Sequence, residues 1–160
     1  TSAEEIMSIS PDGLFLTNGP GDPEEAAEGI ETVKALTCEL PIFGVCMGHQ
    51  VLALAMGGKT YKLKFGHRGG NHGVFDRESG RSFIVAQNHG YAVDGDSLIF
   101  KGMEMVYINL NDMSVEGMKH RSLPLFSVQF HPEACAGPED TNMLFDKFIE
   151  MMGENNAKGQ

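Results

Sequence analysis

The first 60 residues alternate between short apolar runs and stretches with a helical hydrophobic pattern. The runs "GLFLT" (13–17) and "PIFGV" (41–45) have the length and composition of buried strands. Between them, apolar residues at 26, 30, 33 and 36 predict an amphipathic helix, with Asp22 as N-cap and Pro23 as first helical residue. "HQVLALAM", after the second run, predicts a buried helix that ends at a Gly-Gly pair. This order predicts an α/β fold with a largely parallel, mixed central sheet flanked by helices.

The pattern changes after residue 60. "TYKLKF", "SFIVAQ" and "MVYINL" are strand-like runs separated by Gly, Asn and Asp, which predicts an antiparallel or mixed insertion. "SVEGMKH" and "PLFSVQF" continue the strand series, and a last amphipathic helix is predicted at about 139–152. We therefore predict a single domain over residues 1–152 and a frayed tail over 153–160.

Composition narrows the classes of partner. A chain of 160 residues can bury the core of one domain without disulfides or a structural metal. Twelve basic against 22 acidic residues give a formal net charge of −10, which disfavours nucleic acid and anionic membranes because both need a basic surface. The three cysteines have no paired spacing, so we predict a reducing compartment, the cytoplasm. We find no apolar run of membrane-spanning length and no signal-peptide pattern.

The stretch "GVCMG" (44–48) places a cysteine between two glycines at the end of a predicted strand. Such glycines relieve crowding in a strained strand-to-helix turn that exposes the central side chain, as in Gly-x-Ser-x-Gly enzymes. The N-terminus of the following helix would favour the Cys46 thiolate, and the backbone N–H of Met47 would face an oxyanion. A buried cysteine that packs as a small hydrophobic residue fits the motif equally well.

Two further loops follow predicted strands. "FSVQFHPE" (126–133) ends in His131, with Glu133 two residues on, and a thiol nucleophile needs an imidazole base that a carboxylate orients. Taken alone, this pattern is more typical of a solvated histidine beside an unrelated glutamate. The glycines of "NGPGDP" (18–23) would present backbone N–H groups to a substrate oxygen, although an ordinary turn with a helix cap also explains them.

The three loops together are more informative than each alone, because reactive groups in α/β sheets gather at the carboxyl ends of neighbouring strands. "NGPGDP", "FGVCMGHQ" and "FSVQFHPE" resemble, in this order, the three signature blocks of the class I (triad-type) glutamine amidotransferases, which have a flavodoxin-like fold. "KFGHRGGNH" and "AQNHGYAVD" are most similar to segments of the glutamine-hydrolysing small subunit of carbamoyl-phosphate synthetase. The resemblance extends over residues 11–152.

The resemblance implies a glutaminase that needs no cofactor. Cys46 would be the nucleophile, His131 the base and acid, and Glu133 the partner that orients His131. Oxyanion-hole N–H groups would come from Gly19 and Met47. The implied glutamine contacts are Gly19, Gly21, Met47, Gln50, Asn88, Gly90 and Tyr91. The family hydrolyses L-glutamine to glutamate and ammonia. The implied partner is the large, synthetase subunit, which uses the ammonia to make carbamoyl phosphate for pyrimidine and arginine biosynthesis.

The chain departs from this family at its N-terminus. The family's domain normally begins with a further strand and helix before the segment equivalent to "TSAEE", and the small subunit carries another domain before these. We therefore expect an exposed apolar edge and face of the sheet, and either an excised or partial chain or one that folds with a partner strand. We also expect one glutamine contact to be absent, which would lower activity.

Metal binding is not predicted. Cys46 and His49 lie three residues apart, and His67 and His72 five apart, but neither pair extends to the four-ligand pattern of a structural zinc site. We assign His67, Arg68 and His72 to a glycine-rich loop that packs near the site or faces the partner subunit.

Two other classes of function fit the same residues. A thiol hydrolase with this triad but another substrate, such as a peptidase or γ-glutamyl hydrolase, would turn over other amides without a synthetase partner. A non-catalytic partner-binding module, inactive without the N-terminal elements, would bind a synthetase and form no thioester.

Overall fold

The computed structural model describes residues 1–17, 21–132 and 142–158. The helices of this part of the chain are α1 (Ala3–Ser8), α2 (Ala27–Leu36), α3 (Met47–Ala55) and α4 (Asn142–Lys158). Its strands are β1 (Leu14–Leu16), β2 (Ile42–Val45), β3 (Lys59–Asp76), β4 (Ser82–Asp94), β5 (Met103–Asn109), β6 (Val115–His120) and β7 (Leu125–Val128). Two 3₁₀ turns lie at Pro23–Glu25 and Gly95–Leu98. No helix in these ranges has the length and apolar character needed to cross a membrane.

The strands form one mixed sheet in the order β1-β2-β7-β6-β5-β3-β4. β1, β2 and β7 pair in parallel, and every other neighbouring pair is antiparallel. The mixed α/β fold is therefore confirmed, with parallel pairing confined to three strands and an antiparallel insertion after residue 60. Because β1, β2 and β7 are adjacent and parallel, the loops that follow Leu16, Val45 and Val128 leave from the same end of the sheet.

Strand β2 is buried on both faces, which explains its uninterrupted apolar sequence. Ile42 packs in the core that α2 and α3 cover, whereas Phe43 points to the opposite face, which α4 covers. Phe43 stacks on Phe126 of β7 with ring centroids 4.4 Å apart and meets Phe148 of α4 edge-on. The period-2 alternation of one strand thus supplies both halves of the core.

The first turn of α3 lies directly against the sheet. A Cβ atom on Gly48 would be 2.2 Å from the backbone oxygen of Leu16, and one on Gly44 would be 2.6 Å from the backbone oxygen of Gly48. Neither position has room for a side chain. The two glycines around Cys46 therefore allow α3 to start immediately above β1 and β2.

The start of α2 differs from the prediction. Asp22 does act as a cap, since its carboxylate accepts the N–H of Glu24 at 2.9 Å, but it caps the 3₁₀ turn. Ala26, with ψ of 44°, has a non-helical backbone conformation that separates the 3₁₀ turn from α2, which begins at Ala27. The predicted helix start at Pro23 is wrong, whereas the apolar face with Val33 and Leu36 is buried as expected.

Both ends of the chain are more helical than predicted. Ser2 and Glu5 form a reciprocal capping box at the start of α1, a helix that the sequence analysis missed although Ser-x-x-Glu signals it. At the other end, α4 continues past Met152 to Lys158, so the expected frayed tail is wrong for residues 153–158. Asn156 donates a hydrogen bond to Asp12 at 2.9 Å, which ties this last part of α4 to the body of the domain.

The predicted glycine-rich loop containing His67, Arg68 and His72 is also wrong, because these residues lie within β3. β3 and β4 form a long antiparallel hairpin whose register shifts between Lys62 and His67 and again between Gly69 and His72. Such bulges let a strand absorb glycines without ending. At the other side of the sheet, β1 is the edge strand and Phe15 is 42% exposed, which corresponds to the expected apolar edge.

We predict that Gly48→Ala destabilises the fold although alanine is the better helix former. The new Cβ would collide with the Leu16 oxygen, and overpacking of this kind costs about 1–3 kcal/mol of unfolding free energy. Gly153→Ala is the matched control, since Gly153 lies in α4 with open space around it, and it should stabilise by about 0.5–1 kcal/mol. Urea unfolding of both variants measures the difference; equal effects would contradict the close approach.

Candidate active site

A cavity of about 490 Å³ brings the predicted site residues together. Eight of them line it: Gly21, Cys46, Met47, Gln50, Asn88, Gly90, Tyr91 and His131. Arg68 and His89 also line it and were not predicted as site residues. Gly19 and Glu133 lie outside the described residues. The walls therefore come from the 3₁₀ turn region, the start of α3, strands β3 and β4 and the segment after β7.

Cys46 occupies a strained turn between β2 and α3. Its backbone has φ 55° and ψ −110°, an unfavourable conformation for a residue with a side chain. The turn is held by its own N–H, which donates to the Val128 oxygen at 3.0 Å, and by its carbonyl, which accepts from His49 and Gln50. The Cys46 thiol points toward the backbone oxygen of Asn88, with Sγ 4.0 Å away. A helix N-terminus next to a thiol favours its anionic form.

His131 is positioned by the antiparallel half of the sheet as well as by β7. Its backbone N–H donates to the carbonyl oxygen of Ala86 in β4 at 3.1 Å. The side chain is partly buried and lines the same cavity as Cys46. The cavity thus has a thiol and an imidazole on its wall, the two groups that thiol-based acyl transfer requires.

Gln50 joins the cysteine turn to the opposite wall. It lies one turn along α3 and is 2% exposed. Its amide nitrogen donates to the Tyr91 backbone oxygen at 2.8 Å and to Gln129 Oε1 at 3.0 Å. Because these bonds engage the Gln50 amide nitrogen, Gln50 fixes the Tyr91 backbone in addition to lining the cavity.

A buried polar cluster lies behind the β4 wall, and the sequence analysis missed it. Glu116 of β6 is completely buried, and its carboxylate accepts hydrogen bonds from Gln87 Nε2 at 2.8 Å and Asn109 Nδ2 at 3.1 Å. His67 and His89 lie beside it, with His67 Nδ1 3.5 Å from Glu116 Oε1 and 3.2 Å from His89 Nε2. Within the described ranges, His67, His89 and Glu116 form the group of potential metal ligands whose atoms all lie within 4.8 Å.

The two histidines of this cluster titrate in opposite directions. The hydrogen bond to Glu116, opposed by burial and assisted by Asp112, raises the pKa of His67 to about 9. Burial lowers the pKa of His89 to about 4, although Tyr91 and Glu116 oppose the change. At neutral pH the pair therefore carries one positive charge.

His49 has a structural place. It is completely buried in α3, burial lowers its pKa to about 3, and its Nδ1 atom lies 2.7 Å from Ser127 Oγ of β7. Its Nε2 atom has no hydrogen-bond partner within the described part of the chain. A neutral histidine in this position fastens α3 to the sheet.

The chain belongs to the class I glutamine amidotransferases, since the family model "Glutamine amidotransferase class-I" matches residues 1–151. This confirms the resemblance of the three sequence blocks. The chain is 59% identical over 151 residues to the carbamoyl phosphate synthase small chain of Clostridium acetobutylicum, and 58% identical over 158 residues to that of Fusobacterium nucleatum. These alignments cover 94% and 99% of this chain but 43% and 44% of the relatives. The chain thus spans less than half the length of these curated relatives.

Solved structures support the fold. A putative GMP synthase subunit from Thermoplasma acidophilum superposes with a TM-score of 0.81 at 22% identity, covering 99% of this chain and 80% of that one. A glutamine amidotransferase from Thermotoga maritima gives a TM-score of 0.61 at 20% identity, covering 91% of this chain and 64% of that one.

The conformation of Cys46 generates a stability prediction. Glycine tolerates this φ and ψ whereas alanine does not, so Cys46→Gly should be more stable than Cys46→Ala by about 1 kcal/mol, despite the greater freedom of glycine in the unfolded chain. Alanine is the matched control because it also lacks the thiol. Chemical denaturation of both variants measures the difference, and a more stable alanine variant would show that the turn is not strained.

Proposed function

We propose that this chain is the glutamine-hydrolysing part of a carbamoyl phosphate synthase small chain. The observation that carries the proposal is the strained Cys46 turn on the wall of a cavity that His131 also lines. The match to the class I family and the small-chain names of relatives at 58–59% identity support it. The cavity volume lies in the usual range for small-molecule sites.

In the first half of the reaction, the Cys46 thiolate attacks the side-chain amide carbon of L-glutamine. The N–H groups of Gly19 and Met47 stabilise the tetrahedral oxyanion, as oxyanion holes do in acyl transfer. His131 gives a proton to the departing ammonia, and a glutamyl thioester is left on Cys46.

In the second half, His131 takes a proton from water, and the resulting nucleophile hydrolyses the thioester to glutamate. Glu133 holds the imidazole in the productive tautomer and stabilises its charged form. The roles of Gly19 and Glu133 rest on the "NGPGDP" and "FHPE" blocks, since both residues lie outside the described ranges.

The proposed substrate contacts are residues that line the cavity. Gly21, Gln50, Asn88, Gly90 and Tyr91 line it and would hold glutamine so that its side-chain amide lies at Cys46. The space beside Gly90 is open, since a Cβ atom at this position would meet no atom within 4 Å.

The proposed partner is the large, synthetase subunit of carbamoyl phosphate synthase in the cytoplasm, which would receive the ammonia. The net charge of −10 supports a partner other than nucleic acid or an anionic membrane surface. The thiol, imidazole and carboxylate suffice for amide hydrolysis, so the proposal includes no cofactor or metal.

A glutamine-mimicking electrophile tests this function directly. We expect a single glutamine-protected covalent adduct, located on Cys46 by peptide mass spectrometry. Exposed Cys38 is the internal control and should react without glutamine protection. Cys46→Ser should abolish both the adduct and thioester formation.

Three results would contradict the proposal. Equal labelling of Cys38 and Cys46 would argue against an activated nucleophile. Protection by other amides but not by glutamine would favour another thiol hydrolase. Hydrolysis by Cys46→Ser at the wild-type rate would remove Cys46 from the mechanism.

Replacement of Glu133 tests the orienting role. Glu133→Gln should lower kcat for glutamine hydrolysis by at least about tenfold, because the imidazolium loses its partner, while KM changes little. Steady-state kinetics with coupled detection of glutamate give both constants. A parallel rise in KM would indicate a substrate-binding role for Glu133 instead.

A further inference from the structure

We propose that Glu116 is a positioning residue of the glutamine site: its buried carboxylate retains one extra proton on the His67–His89 pair, and this proton keeps the β4 wall in place. The effect on glutamine rests on the proposed function, whereas the proton is a property of the fold. The number of protons on the pair depends on which surrounding atoms donate hydrogen bonds and which only accept them.

The orientation of Asn109 makes Glu116 an acceptor. Asn109 Oδ1 accepts the backbone N–H groups of Asn111 at 2.8 Å and Asp112 at 3.3 Å. Its other atom, Nδ2, therefore carries the amide protons and donates one to Glu116 Oε1 at 3.1 Å. The carboxylate receives a second proton from Gln87 Nε2 on Oε2. Both oxygens of the completely buried Glu116 thus accept hydrogen bonds from side-chain amides.

Gln87 transmits this constraint to His89. Because Gln87 Nε2 donates to Glu116, Gln87 Oε1 faces His89 Nε2, at 2.5 Å. The other ring nitrogen, His89 Nδ1, lies 2.6 Å from the backbone oxygen of Tyr91. Both nitrogens of His89 therefore face oxygen acceptors, and a neutral imidazole can supply only one N–H.

His67 also has more acceptor atoms around its ring than a neutral imidazole has N–H groups. Its Nε2 atom lies 2.6 Å from the Asp112 carboxylate and must donate. Its Nδ1 atom faces His89 Nε2 and Glu116 Oε1. With two neutral rings, His67 uses its N–H on Asp112, and His89 has one N–H for two oxygens, Tyr91 O and Gln87 Oε1. If His89 donates to Tyr91, unshared electron pairs of His67, His89, Gln87 and Glu116 converge; if it donates to Gln87, its Nδ1 electron pair faces the Tyr91 oxygen.

One additional proton reduces this repulsion, because it adds an N–H where four electron pairs would otherwise meet. Placed between His67 Nδ1 and His89 Nε2, it makes the pair a single cation that faces Glu116 and Asp112. The raised pKa of His67 and the lowered pKa of His89 agree with this count, since the pair then holds its extra proton at neutral pH and takes another only in acid. Other titratable or charged groups near the pair are His72, whose ring is 5.5 Å from that of His67, Tyr61, His49, whose pKa His89 helps to lower, and Arg68, which lines the cavity beside His89.

The Tyr91 backbone carbonyl group connects the proton on the histidine pair to the cavity wall. The Tyr91 backbone oxygen accepts from both His89 Nδ1 and Gln50 Nε2, so it joins β4 to the helix that begins at Cys46. Asn88, Gly90 and Tyr91 surround this point and line the cavity. If the pair loses its extra proton, the converging electron pairs repel, His89 moves, and the wall that would bind glutamine moves with it.

The pH dependence has a definite sign. The extra proton is held more tightly in the folded chain, where the pKa of His67 is about 9, than in the unfolded chain, where it is 6.5. Its stabilisation is therefore complete below pH 6.5 and is lost as the pH rises toward 9. Glutamine affinity should fall over the same alkaline window.

The test compares Glu116→Gln with Glu31→Gln, which removes an equal charge from the exposed face of α2. Nitrogen-15 NMR of the imidazole rings should give a shared proton that leaves near pH 9 in wild type and in Glu31→Gln, and at least one pH unit lower in Glu116→Gln. KM for glutamine should rise about tenfold in Glu116→Gln while kcat stays within about twofold.

Asp112→Asn provides a second variant at a partly exposed position, where folding is less at risk. It should shift the same titration downward, which a role limited to packing would not do. An unchanged titration in both variants would overturn the proposal, as would a stoichiometric divalent metal at these ligands by elemental analysis. If wild type shows the shared proton but hydrolyses no glutamine, the proposed function fails and the link to glutamine fails with it.

Discussion

The close approach of α3 to the sheet is the constraint on which the site depends. Because Gly48 has no side chain, the first turn of α3 rests on the Leu16 oxygen, and Gly44 clears the space beneath it. The chain must then reverse within one residue, and Cys46 takes the positive φ that this reversal demands. The same step places Gln50 one turn further on, facing β4. Packing, strain and the position of the thiol thus have one cause.

The antiparallel half of the sheet is built to hold one wall of the cavity. An ionised carboxylate in a protein interior is costly unless hydrogen bonds and opposite charge compensate it. Glu116 receives two amide protons and lies beside the charged histidine pair, so its burial is compensated locally. An apolar core at this place would offer no directional bonds to orient His89 and, through it, the Tyr91 carbonyl group.

The sequence predicted the features that depend on local sterics and missed those that depend on distant partners. The β2 run and the Gly44–Gly48 spacing predicted a buried strand and a tight turn, because the cause lies in neighbouring residues. The glycine-rich stretch of β3 has no period-2 pattern, so the sequence alone predicts a loop there. The burial of Glu116 depends on Gln87 and Asn109, which only the folded sheet brings near it. Gly19 and Glu133 stay predictions.

The two halves of the domain meet at the Tyr91 carbonyl oxygen, and this explains why both are needed for one site. A carbonyl oxygen has two electron pairs, and here Gln50 of the parallel half occupies one while His89 of the antiparallel half occupies the other. If one of these two donors moves, the Tyr91 oxygen moves with it, and the hydrogen-bond geometry of the other donor changes. The helix behind the Cys46 thiol and the proton on the histidine pair are therefore coupled through this backbone group, so that the charge state of one half bears on the geometry of the other.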